Sequence, residues 1–327
     1  MQFRTPLPVH KSSTPISLGD SFITIGSCFA NSIANKLEQS KFKSLNNPLG
    51  ILYDPRSIAR VFNFALTGNR PDKQTYINTG NEFVNLLAHS DMNGRSLEAS
   101  KNLIDERLKQ VKVNLTNANW LIITFGTSWV YYQNSTGLQV ANCHKIPQSE
   151  FDKGLLEFDR TKLVYDNLIP FLKEFNPNLK IIVTVSPVRH TKDSLPLNSL
   201  SKSHLFMLCH YLDQTYNNVQ YYPAYELQVD DLRDYRFYKS DMIHPTDQAV
   251  DYIWEHFTQT FFDIEALSFL KDWHALQKAI QHKPFDPGSE KHQKFIKSTI
   301  TKLKGLTTKV DLTKEIEELK NQLLPAK

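Results

Sequence analysis

The sequence predicts an α/β protein: three α/β/α layers around a central, mainly parallel sheet, with a helical extension at the C-terminus. Three observations carry this. Short, continuous apolar runs rich in β-branched residues recur at residues 21–25, 120–124 and 180–185, as expected of strands buried on both faces. Helix-like stretches separate them, and strand, helix, strand at this spacing gives right-handed βαβ units. From Pro284 onward the composition shifts to Lys and Glu, which marks a change of organisation.

The elements follow in order. The run 21–25 ends at Gly26-Ser27-Cys28-Phe29-Ala30 and leads into a helix-like stretch at 31–37, a strand-turn-helix corner. Asn46-Asn47-Pro48-Leu49-Gly50 is a turn cluster, and Asp54-Pro55 caps a helix over 56–66 that breaks at 68–72. Residues 96–115 read as an amphipathic helix, with Leu97, Leu103, Ile104, Leu108 and Val111 roughly on one face. It feeds the strand 120–124, which stops at Phe125-Gly126-Thr127-Ser128. A helix over 163–175 precedes the strand 180–185, which stops at Ser186-Pro187, and a helix over 202–216 precedes a short strand at 219–222. Pro245 suits a first helical position, and Ala249, Val250, Ile253, Trp254 and Phe257 then recur at helical spacing. Pro284-Phe285-Asp286-Pro287-Gly288 is a breaker, and Ile316, Leu319 and Leu323 put one or two peripheral helices behind it. The expected organisation is a main domain over 1–283 and an extension over 284–327.

Composition excludes several classes. With 327 residues, 40% hydrophobic and 22% charged, the chain can bury a sizeable core and is not predominantly disordered. The net charge of +4 owes much to Lys291, Lys294, Lys297, Lys302, Lys304 and Lys309, which read as a solvated helical face. No basic stripe interleaved with aromatics appears, so nucleic acid is not an expected partner. Three cysteines, Cys28, Cys143 and Cys209, leave one over in any pairing and form no C-x-x-C, which favours a reducing compartment. Residues 1–8 lack an apolar leader and no 18-residue apolar run occurs, so the expectation is a cytoplasmic protein without a membrane span. Cys143-His144, His190, and His204 with His210 lack metal-ligand spacing, so neither metal nor cofactor is expected. The oligomeric state is left open.

Chemistry concentrates at two places. A Gly lets the chain turn sharply at the first corner, and a Ser at the N-terminus of the following helix can present its oxygen beside an N–H that stabilises developing negative charge. Ser27 alone also reads as an N-cap. Its weight comes from Asp241-Met242-Ile243-His244-Pro245, where a tight turn brings a carboxylate onto one imidazole nitrogen and frees the other to take a hydroxyl proton. Both places follow inferred strands, so a parallel sheet gathers them at its carboxyl edge. Cys28 is the alternative nucleophile, a thiol at a helix N-terminus, although a small buried side chain is its plainer role.

These motifs, with Asn47-Pro48-Leu49-Gly50-Ile51-Leu52-Tyr53, Thr124-Phe125-Gly126-Thr127-Ser128-Trp129, Asn142-Cys143-His144-Lys145, Ser186-Pro187-Val188-Arg189 and the segment 232–238, resemble the GSCFA domain family over about residues 1–260. That family is similar to the SGNH/GDSL hydrolases. The resemblance implies Ser27 as nucleophile, His244 as base, Asp241 as its orienting acid, and an oxyanion hole from Ser27, Gly50, Thr127 and Ser128. The third block departs from the pattern, because Ser128 stands where a carboxamide donor is expected. The implied function is a serine esterase removing O-acetyl or other short acyl groups from a carbohydrate-like substrate. The alternatives are an acyltransferase using the same triad and a catalytically weak glycan-binding module. Trp129 is a candidate stacking wall, His144 a candidate site-lining group, and Arg233 with Arg236 a candidate clamp for a polar substrate.

Overall fold

A computed structural model describes residues 4–282 and 284–323. It divides into two compact units, one of residues 1–8, 21–36 and 44–255, the other of 9–20, 37–43 and 256–327. The division thus falls earlier than the breaker at Pro284 marks, and the second unit recruits stretches from the N-terminal part of the chain.

The first unit is a three-layer α/β/α fold. Its strands are β1 (Ser21–Gly26), β2 (Lys43–Asn46), β3 (Trp120–Phe125), β4 (Lys180–Val185) and β5 (Val219–Tyr222), in the order β5-β4-β3-β1-β2. The pairs β1–β3, β3–β4 and β4–β5 are parallel. Register aligns the carboxyl ends: Gly26 lies opposite Thr124, and Thr124 opposite Thr184.

Continuous apolar sequence in these strands follows from burial on both sides. Ile23, Ile25, Leu121, Ile123, Phe125, Ile181 and Val183 join a core with Ile58 and Phe62 of α2 (Pro55–Thr67), Ile104 and Leu108 of α3 (Leu97–Asn117), Leu168 and Leu172 of α4 (Phe158–Phe175), and Leu205 and Leu212 of α5 (Leu195–Thr215). Alternate residues Phe22, Trp120, Ile122 and Ile182 point the other way and are equally buried. On β5 the Tyr222 hydroxyl donates to the Ile253 carbonyl of α6 (Asp247–Phe261) at 2.7 Å. Helix α1 (Cys28–Gln39) leaves directly from the end of β1.

Two antiparallel additions were not evident in the sequence. One pairs Tyr76–Asn78 with Phe83–Asn85; the other orders Gln139–Val140, Trp129–Gln133 and Phe151–Leu155 into a three-stranded sheet.

The second unit includes α7 (Ile264–Gln281), α8 (Glu290–Leu306) and α9 (Thr313–Lys320), the last two being the peripheral helices expected behind Pro284. They share a core of Phe269, Trp273, Ile296, Ile300, Leu303, Leu312, Ile316 and Leu319. Asp263 and Ser289 cap the first two through their side chains. Among the described residues no helix is long and apolar enough to cross a membrane.

Candidate active site

The strand order 2-1-3-4-5 reverses direction between β1 and β3, and in open α/β sheets ligands bind outside the carboxyl ends at such a switch point. The Gly26 corner lies there. Gly26 sits at φ +138°, and a Cβ on it would come within 2.1 Å of the Thr124 carbonyl oxygen, so only glycine lets β1 approach β3 this closely while turning. Asn47 fixes the turn: its Oδ1 accepts from Gly26 N at 2.8 Å and its Nδ2 donates to Asn31 Oδ1. The loop then laces both strand ends together, because Leu52 N donates to Gly26 O while Tyr53 O accepts from Gly126 N and Thr127 N.

Ser27 is fully buried. Its Oγ accepts from Phe29 N at 3.3 Å and its carbonyl accepts from Ala30 N, so it is the N-cap of α1 and its oxygen is turned inward. The expectation of an exposed Ser27 hydroxyl beside His244 is therefore corrected. The next residue takes that place. Helix α1 starts at Cys28, and the half-buried Cys28 Sγ stands 3.6 Å from His244 Nε2.

On the far side of the ring, His244 Nδ1 lies 2.8 Å from Asp241 Oδ2. Asp241 Oδ1 accepts the backbone N–H groups of Ile243 and His244 at 2.8 and 3.0 Å. Those amide bonds first, and the imidazole next, hold the carboxyl down at about 2. An ionised carboxylate can only accept, so the ring proton sits on Nδ1 and Nε2 is the open acceptor facing sulfur. Sequence spacing paired Asp241 with His244, and these two side chains do meet.

Burial pushes the Cys28 thiol up, while its own backbone N–H, the Tyr53 hydroxyl and the Lys202 ammonium pull the other way. The thiol is thus protonated at rest and needs a base. Burial and the thiol together lift the Tyr53 phenol to about 12, so it remains a donor. Lys202 is fully buried and its Nζ donates to the carbonyls of Gly126 and Ser186 at 2.8 Å each, tying the ends of β3 and β4 together. Desolvation drops its ammonium to about 7. His190 stacks edge-on to Tyr53 with centroids 5.5 Å apart. Burial and then Lys202 lower it to about 4, leaving it a neutral wall at physiological pH.

The expected oxyanion donors are already engaged. Ser27 N donates to Thr124 O, Gly50 N to Asn47 O and Thr127 N to Tyr53 O. Ser128 is buried, its N and Oγ donating to Ser201. Gly50 has a packing role instead: at φ +76° a Cβ there would meet the His89 side chain at 2.2 Å. The groups that do face sulfur are the Cys28 N–H, at the positive end of α1, and the Tyr53 hydroxyl.

Of the candidate substrate contacts, Trp129 lines a cleft of about 180 Å³ with Tyr53, Thr127, Tyr131, Lys153 and His190. Lys153 sits over one face of the Trp129 and Tyr131 rings, at 5.1 and 5.6 Å from their centroids. His144 does not belong to that lining: its Nε2 lies 2.8 Å from Asn85 O and 3.1 Å from Ala88 O, a backbone brace. Arg236 turns to Asp234 and the Phe237 ring rather than joining Arg233. Tyr53 and Arg189 entered the sequence reading only as motif members and His190 only as a discounted metal ligand, while Lys202 was not singled out, although it carries a signal. It falls in helical phase with Asn198, Leu205 and Cys209, all buried, where a solvated lysine has no place.

Set against protein-family models, residues 21–257 match the GSCFA family. The chain belongs to the GSCFA family. Residues 273–325 match the C-terminal domain of GSCFA domain proteins, so the helical unit of this GSCFA protein largely coincides with a recognised module. A search of curated proteins finds no match.

Proposed function

We propose that this GSCFA protein is a cysteine-dependent acyl hydrolase with an SGNH-like site, in which Cys28 replaces the expected serine as nucleophile. One observation carries the reading: Cys28 Sγ, His244 and Asp241 form a continuous relay, 3.6 Å from sulfur to Nε2 and 2.8 Å from Nδ1 to carboxylate. Sulfur attacks an ester carbonyl as His244 Nε2 takes the thiol proton; the S–C bond forms and the carbonyl π pair moves to oxygen. The Cys28 N–H and the Tyr53 hydroxyl are placed to stabilise that oxyanion. Collapse breaks the C–O bond, and His244 returns its proton to the departing alcohol oxygen. Water then attacks the thioester, giving a proton to Nε2, and the free acid leaves as Cys28 regains its proton. Asp241 keeps the imidazole oriented and offsets its transient charge. The substrate class proposed is a short acyl ester, such as O-acetyl, on a carbohydrate-like carrier.

The test combines a short-chain ester assay with active-site alkylation by iodoacetamide, read by mass spectrometry. Alkylation at Cys28 is expected. Cys28→Ala and His244→Ala should each lose about 10³-fold or more in kcat, while Ser27→Ala keeps its turnover. Equal activity in wild type and Cys28→Ala would end the proposal.

A further inference from the structure

Two consecutive side chains after β4 line two different clefts. His190 lines the one beside Tyr53. Arg189 lines a second cavity of about 180 Å³, with Gln228, Val229, Arg233, Asp234, Tyr235 and Tyr238. This second cavity is built onto the histidine loop. The Arg189 guanidinium donates to the Met242 carbonyl, Arg189 N to the Ile243 carbonyl, and Lys239 N to the His244 carbonyl at 2.8 Å. Tyr238 also bridges to Pro245.

Its polarity is one-sided. The Arg189 guanidinium packs over Tyr238 at 4.3 Å and Tyr235 at 5.4 Å, which holds a planar cation at the wall. Arg233 is exposed, sits at φ +31° and makes no ion pair among the described residues. Asp234 is the acid of the lining, and Arg236 occupies it through its backbone N–H at 2.9 Å and its guanidinium at 3.6 Å. Burial keeps the Tyr238 phenol protonated and able to donate. Gln228 is fully buried, and its Oε1 has no hydrogen-bond partner; such a group is costly unless something donates to it.

We propose that this cavity binds an oxyanionic group, phosphate or carboxylate, through Arg189 and Arg233, with Gln228 Oε1 accepting from a ligand hydroxyl. Resting on the reading of Cys28 above, the substrate then carries its negative charge on the carrier, away from the acyl group.

Binding is measured on the Cys28→Ala protein, so that no thiol chemistry intervenes, by calorimetric titration with inorganic phosphate and, separately, acetate. Saturable binding of at least one is expected, weakened about tenfold by Arg233→Met or Arg189→Met. Arg160→Met, whose guanidinium pairs with Glu157 and lies outside the lining, should bind as the parent does. Arg233 is exposed, so its replacement leaves folding intact, and circular dichroism checks Arg189→Met. The phosphate and acetate arms tell the two anion sources apart. Absence of saturable binding of either ion, or binding that survives Arg233→Met unchanged, overturns the proposal. Anion binding without any Cys28-dependent ester cleavage would sink the hydrolase reading and leave the cavity standing.

Discussion

Ser27 and Cys28 are adjacent, and the site turns on which of them begins the helix. An N-cap side chain folds back onto the first free amides, whereas the next side chain points out beyond the helix end. Sequence shows the corner but not that single-residue register, because both residues fit either position. The structure starts α1 at Cys28, which leaves Ser27 as its cap; on the proposed reading of Cys28, the cap is its whole role. Ser27→Ala should therefore lower stability by about 1 kcal/mol, read by urea denaturation, with kcat within about twofold of wild type. A loss of activity as deep as that of Cys28→Ala would contradict this division of labour. Tyr53 makes the second argument at this scale. Its backbone carbonyl accepts from Gly126 and Thr127, and its hydroxyl reaches Cys28, so Tyr53→Phe keeps the lacing and removes one donor. Stopped-time ester assays should show kcat down by about 10²-fold with KM little changed, since the lost interaction grows as charge develops on the carbonyl oxygen.

Helix α5 does two things at once, and Lys202 is where they meet. Most of its buried residues pack against the sheet like any apolar stripe, yet Lys202 enters the same stripe to satisfy the carbonyls of Gly126 and Ser186. Burial takes its ammonium from the ordinary 10.5 to about 7. The sign follows directly. Between those pH values the unfolded chain holds the proton and the folded one has released it, so this residue makes stability rise with pH across the window. Below about pH 7 both states are protonated and the slope vanishes. Stability measured by urea denaturation should show the gap between wild type and Lys202→Met widening from about pH 7 to about pH 10. A constant gap would mean that the folded lysine keeps its proton across this range, as the unfolded one does. The Asp241–His244 turn shows the opposite design: spacing of three residues was enough to foresee the pair, because a turn of that length closes on itself whatever surrounds it.

Across the molecule, long-range order was easier to read than local detail. Three of the five sheet strands stand out as continuous apolar runs and a fourth as a short segment after a helix, and parallel connection alone gathers their ends on one edge, which is why the Gly26 corner and the Asp241–His244 turn could be placed together before any coordinates. The fifth strand, Lys43–Asn46, is short and carries no hydrophobic run, and the antiparallel additions owe their pairing to partners that sequence periodicity does not name. The expected oxyanion groups went astray for a related reason: a motif fixes residue type, while each N–H is committed by backbone turns that only the folded loop reveals. The C-terminal helices illustrate how much a weak pattern can hide. Their sequence is charged and only sparsely apolar, yet Leu303 is fully buried among Phe269, Trp273, Ile300 and Ile316. A Lys-rich helix packs this way because three or four apolar positions on one stripe are enough when two other helices cover them. Leu303→Ala should then cost about 2–5 kcal/mol within this unit, and hydrogen exchange should speed up across residues 264–320. If exchange there were unchanged while the protein stayed folded, the shared core of α7, α8 and α9 would have to be abandoned.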